Sequence, residues 1–191
     1  MGTPRTNVPA KLTALDGSEW VRHRYPNVWQ RERTTGPDRL RIAPDGRHVD
    51  VLRSLVGCLP EPFGILYVLI ASRAGRESGR YQSPESWSRG DVVSFLEGFR
   101  AYFEGDGRHH VWVMSLPANE TLVYDNHDLI YAYGPIPEYE RALATIGLVP
   151  GGVSIPAPHG HQYNAEFDSD EDRIMAHCAW MHFPLLPSDD P

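Results

Sequence analysis

Residues 63–71 read Phe-Gly-Ile-Leu-Tyr-Val-Leu-Ile-Ala, an unbroken apolar run of strand length, rich in β-branched and aromatic side chains. A run without polar alternation buries both of its faces, so it predicts a central strand with neighbours on either side. Towards the C-terminus, residues 72–87 are polar and predict a long loop. That loop ends at Ser88, where Asp91 three residues on makes a capping-box-like helix start, with Asp in place of the usual Glu. Val92, Phe95, Leu96, Phe99 and Phe103 then fall on one helical stripe, closed by Gly105-Asp106-Gly107.

Further on, residues 110–115, 121–124 and 129–133 predict three strands of a meander, separated by Pro117-Ala118-Asn119 and Asp125-Asn126-His127-Asp128. A helix over 137–146, closed by Gly147, is expected to lead into a short strand at Val153–Ile155. Asp168, with Glu171 three residues later, is expected to cap a last helix in which Ile174, Cys178 and Met181 share a face.

Towards the N-terminus, two patterns compete. Leu52, Leu55, Val56 and Leu59 recur at helical spacing before Pro60, whereas Leu40 and Ile42, the turn Pro44-Asp45-Gly46, and Val49 and Val51 alternate as a hairpin would. The aromatics of residues 20–29 are interrupted by Pro26, which favours short extended pieces. Residues 1–18 hold few large apolar groups and read as a flexible leader, 19–183 as one domain, and 184–191 as a frayed tail. The fold class expected is α+β, a mostly antiparallel sheet with helices packed on one face, in a single domain.

Composition narrows the function classes. No apolar run approaches the length of a membrane span, and residues 1–7 lack the apolar core of an export signal, so a soluble, cytoplasmic protein is expected. Cys58 and Cys178 each lie in apolar surroundings and read as buried thiols. The net charge is −7, yet residues 1–47 carry nine basic against five acidic side chains, leaving an acidic body behind a basic arm. Such a body disfavours nucleic acid and points instead to another protein, itself basic, as partner.

Three constellations carry candidate chemistry. Six of the nine histidines fall in pairs: His109 with His110, His159 with His161, and His177 with His182. Imidazole is both a metal ligand and a neutral-pH acid or base. On an extended chain His159 and His161 point to the same side, with Cα atoms about 6.6 Å apart. With Glu166 they form His-x-His-x4-Glu, which resembles half of the first cupin motif over eight positions; no second histidine motif follows, and no family is assigned. A divalent transition metal held there takes His159, His161, Glu166 and His109 as its candidate ligands, with His110, His177 and Asp168 in reserve. The second constellation is Asp125 with His127, a pair suited to general base work beside Tyr124, Tyr131 and Tyr133. The third is the glycine- and arginine-rich loop of Arg73, Arg76 and Arg80, a candidate anion cradle.

Each catalytic set is incomplete in sequence. The reading that follows is a non-enzymatic protein-interaction module, resembling small acidic bacterial immunity or antitoxin proteins in composition. The alternative is a metal-dependent hydrolase built around His159 and His161.

Overall fold

In the computed structural model, which describes residues 9–189, the run at 63–71 forms a strand over Phe63–Leu69 in which every residue is buried. Among the described residues the elements are β1 (Leu12–Asp16), β2 (Glu19–Arg22), β3 (Val28–Glu32), β4 (Arg39–Ala43), α1 (His48–Val56), β5 (Phe63–Leu69), β6 (Gly79–Gln82), α2 (Arg89–Gly98), α3 (Arg100–Gly105), β7 (His109–Ser115), β8 (Glu120–Tyr124), β9 (Ile130–Tyr133), α4 (Ile136–Thr145), β10 (Val149–Pro150), β11 (His159–His161), α5 (Asp168–Met175) and β12 (Met181–Phe183). Nine strands make one sheet in the order β10-β3-β4-β9-β8-β7-β5-β6-β12. All its pairings are antiparallel except that of β10 with β3. A second sheet, β11-β1-β2, is small. The chain is thus a single α+β domain.

Strand parity divides the large sheet into two faces. Phe63, Ile65, Tyr67 and Leu69 of β5 join Val111 and Val113, Leu122 and Tyr124, Ile130 and Ala132, and Leu40 and Ile42 in one buried cluster. The same cluster takes Leu52 and Val56 of α1, Phe95 of α2, Phe103 of α3, Leu143 of α4 and Ile174 of α5, so the helices cover this face. Each such large side chain contributes about 1.5–3 kcal/mol by leaving water. The alternate positions make the other face. There the register aligns Trp112, Val123, Tyr131 and Arg41 in one row, and Met114, Thr121, Tyr133 and Arg39 in the next. At one end of that face a second cluster of Leu12, Tyr25, Val28, Ala43, Leu129 and Val153 fastens the small sheet.

The capping box at Ser88 forms with both of its hydrogen bonds, but the helix it starts breaks at Phe99, whose φ of −117° leaves the helical region. Val49 and Val51 lie in α1 rather than in a hairpin: one helical stripe buries Val49, Leu52 and Val56 together, while β4 finds its partners in β3 and β9. The polar loop 72–87 contains β6, which lends β5 its second neighbour. Val153–Ile155 is not a strand; β10 takes the short parallel pairing instead.

The segments expected as leader and tail include a strand and a buried carboxylate. Leu12–Asp16 is β1, and Lys11, 1% exposed, lies 3.6 Å above the Tyr124 ring and donates to the Phe103 carbonyl. Burial pushes its ammonium down to about 8. Residues 1–8 of the expected leader lie outside the described residues. At the other end β12 pairs with β6 and Asp189 is buried, with residues 190 and 191 again outside. Asp168 does not cap α5 but begins it, its carboxylate drawn 2.9 Å from the buried guanidinium of Arg108, which also binds Asp106 and Glu171. The helix ends at Met175, so Cys178 and Met181 lie beyond it. Among the described residues no helix is long and apolar enough to cross a membrane.

Candidate metal centre

The turn joining β8 to β9 is locked by its own side chains. Asp125 Oδ1 accepts the Leu129 N–H at 2.9 Å, and the Tyr124 hydroxyl donates to Asp128 Oδ1 at 2.6 Å. Asp128 adopts φ of +63°, which Asp tolerates better than most residues. Tyr25 donates its hydroxyl to the His127 carbonyl at 2.9 Å. The imidazole of His127 is thereby fixed, with Nδ1 3.2 Å from Asp125 Oδ2.

The other two rings arrive from β11. It pairs with β1 through Leu12–His161 and Ala14–His159, so strand parity sends both imidazoles to one side. Ring centroids of His127 lie 5.1 Å from His159 and 4.8 Å from His161, and those two are 5.4 Å apart. One ring nitrogen from each of the three lies within 4.8 Å of the others.

Tautomers follow from the partners. His159 Nδ1 is 2.8 Å from the Pro156 carbonyl, and His161 Nδ1 is 3.0 Å from the Asn126 carbonyl. Carbonyls and carboxylates only accept, so each Nδ1 carries a proton, and Nε2 is the acceptor nitrogen of each ring in its neutral form. Metal-binding histidines have this arrangement, the far nitrogen held by a carboxylate or carbonyl. Burial first, and then the neighbouring His127 and His159, push His161 down to about 4, which keeps it neutral. Burial opposes ionisation of Asp125, but the hydrogen bond from His127, with His110 and the Leu129 N–H nearby, outweighs it and holds the carboxyl below its usual range. Nitrogens of a tetrahedral zinc site stand about 3.4 Å apart, so the three rings would have to draw closer than 4.8 Å to hold an ion.

Of the trio, His127 alone lines a cavity of about 730 Å³ on the face away from the helices, walled by Trp112, Val123 and Tyr131, with His110 and Asp125 beside His127. His110 is 5% exposed, and its Nε2 meets no hydrogen-bond partner of normal geometry among the described residues, although the Asn126 side chain lies beside it.

Of the expected ligands, the fold brings His159 and His161 together and leaves two out. Glu166 sits exposed on a 3-10 turn at Ala165–Phe167, beyond the end of β11. His109 takes the helix-covered face of β7, fully buried 4.4 Å from the Tyr102 ring and 5.7 Å from the Tyr67 ring. Its place is taken by His127, which sequence reasoning had paired with Asp125 as a base. The pair forms through Nδ1, which leaves Nε2 as the nitrogen of His127 free to ligate. His177 packs on Phe95 and His182 on Tyr81. The candidate anion cradle is filled from within: Arg73 faces Asp168 at 3.3 Å, Arg76 faces Asp172 at 2.5 Å and Glu171 at 3.4 Å, and Arg80 faces Asp189 at 3.7 Å. The same-side parity of residues 159 and 161 was the signal for two ligands. The third comes from a turn 32 residues upstream of His159, and no local spacing announces it.

No family model, no curated protein and no solved structure matches this chain.

Proposed function

We propose that this protein is a metal-dependent hydrolase whose metal ligands are the Nε2 atoms of His127, His159 and His161. The observation that carries the reading is the fixing of all three Nδ1 atoms on acceptors, Asp125, Pro156 and Asn126. With each Nδ1 so held, the Nε2 of each neutral ring is the nitrogen left to take an ion, and the three rings stand together. Three neutral nitrogen donors suit zinc or a similar ion and leave a fourth position open. A metal bound there supplies a Lewis acid and lowers the pKa of its water to about 7. The protein's own part is orientation: Asp125 keeps His127 in the ligating tautomer and offsets part of the ion's charge. Hydrolysis then adds oxygen to the electrophilic atom and a proton to the leaving group.

The test is the metal content of untagged protein after reconstitution with zinc, measured by mass spectrometry. About one ion per chain is expected, lost in the His159→Ala/His161→Ala double variant and in His127→Ala while circular dichroism stays native. A reconstituted protein without metal, or a double variant that keeps it, overturns the assignment.

A second reading, the interaction module with a basic partner, is supported by the acidic balance of residues 48–191 and by exposed apolar groups, Trp20 at 54% and Phe183 at 47%. We place it second because Trp20 lies on β2 beside Arg22, within the basic part of the chain. Partner capture that weakens between 0.1 and about 1 M salt is its expected sign.

A further inference from the structure

Resting on the metal centre just proposed, we infer that the cavity reaching His127 is a substrate site for a small amphipathic anion: an apolar, aromatic-type body with its reacting group at the His127 end and a carboxylate at the opposite end. The occupant's shape follows from the strand register. Leading away from the trio along β8, Asp125, Val123 and Thr121 face the cavity at successive alternate positions. At about 3.3 Å per residue they span about 13 Å. The middle of that span is apolar, with Val123 flanked by Trp112 on β7 and Tyr131 on β9. Its size lies within the range of small-molecule sites, about 300–1,000 Å³, and the lining has their usual form of an apolar body with a few polar groups at the ends.

The far end is positive. Tyr133 is paired with Thr121, and Arg39 with Tyr133 on the neighbouring strand. Arg39 lies 4.4 Å from the Tyr131 ring centroid, donates Nη1 to the Tyr133 hydroxyl at 2.5 Å and Nε to Glu32 at 2.6 Å. Arg41, one row nearer the middle and outside the cavity lining, also faces Glu32, at 3.8 Å. Two guanidiniums share one carboxylate, which leaves a net positive charge for an anionic group of the substrate. At the near end, the buried and unpartnered Nε2 of His110 offers one polar contact for the part of the substrate held at the metal.

The experiment uses full-length protein loaded with cobalt(II), whose visible absorption reports ligands added to the metal. Three probes are titrated: acetohydroxamate, 3-phenylpropanohydroxamate, and the latter bearing a para-carboxylate. The phenyl body is expected to tighten binding about tenfold or more. The carboxylate is expected to add about threefold to tenfold, an increment that shrinks at high salt. Trp112→Ala removes the body increment and Arg39→Gln the carboxylate increment, while acetohydroxamate binds both variants as it binds the wild type. Equal affinities for all three probes on the wild type overturn the site whatever the variants do. If no cobalt binds, the metal reading has failed on its own, and 3-phenylpropionate titrated by calorimetry against metal-free protein decides the cavity: binding in the millimolar range that Trp112→Ala weakens supports the site, and no heat overturns it.

Discussion

The two faces of the nine-stranded sheet are made by the same strands, residue by alternate residue, and differ in what completes them. On the helix-covered face Ile65, Val113, Leu122 and Ala132 meet apolar residues of α1 to α5 and are fully buried. On the other face Trp112, Val123 and Tyr131 border a cavity that reaches His127, one of three imidazoles with a ring nitrogen each within 4.8 Å of the others. Even the adjacent pair His109 and His110 splits this way, one ring stacked among aromatics in the core and the other in the cavity wall. If the proposed metal centre holds, stability is concentrated on one face and recognition on the other, and substitutions on the two should separate cleanly into those that move the melting temperature and those that move metal and ligand binding.

The largest expected effect is on the open face. His127→Ala should abolish stoichiometric zinc, because two imidazoles alone hold an ion far more weakly than three. Its melting temperature without metal should stay within a few degrees of wild type. Next, on the helix face, Phe95→Ala should cost about 3–5 kcal/mol. Phe95 sits 5.2 Å from Trp87, 5.3 Å from Phe99 and 5.0 Å from His177, so no single neighbour can fill the space it leaves. Denaturant melts measure the loss, and zinc stoichiometry at low temperature should be unchanged. A Phe95→Ala protein that folds but has lost its zinc would show that the faces are not independent.

The same division explains what was legible in the sequence. The helix face is written in local periods: the unbroken run at 63–71, the stripe from Val92 to Phe103, and the alternation of the meander each reveal an element before any contact is known. The two interruptions at Phe99 and at β6 were not visible, since helix bending and the recruitment of Gly79–Gln82 depend on what packs against them. On the open face only His159 and His161 could be read together, by strand parity. His127 belongs to a turn whose sequence, Asp-Asn-His-Asp, is equally good turn chemistry, and it joins the two other histidines only because β1 carries β11 across to it. Glu166, near in sequence, was the tempting third ligand, but it falls past the strand's end.

A finer test of the open face is Asp125→Asn. The amide oxygen can keep the Leu129 N–H bond, but the group facing His127 Nδ1 becomes a donor. Two donors cannot face each other, so His127 is driven to the tautomer with its proton on Nε2, where it blocks the metal. Zinc affinity should fall about 10-fold to 100-fold, measured by competition with a chelator. Asp125→Ala should lose metal too, but at a cost in folding from the orphaned turn, so Asn is the more informative replacement.

The smallest effect belongs to the helix face and probes it far from the histidines. Ser88 Oγ accepts the Asp91 N–H at 3.2 Å, and Asp91 Oδ2 accepts the Ser88 N–H at 3.0 Å, closing the first turn of α2 from both sides. Ser88→Ala deletes the hydroxyl and should cost about 1 kcal/mol of stability. Nothing in that turn reaches the open face, for α2 meets the sheet at β5, and the trio hangs from β1, β11 and the β8–β9 turn. A drop in melting temperature with zinc affinity held within twofold would keep the two faces separate. If zinc affinity falls in step with so slight a loosening, the trio must owe its geometry to the stiffness of the whole sheet, and the division between a stabilising face and a binding face would have to be given up.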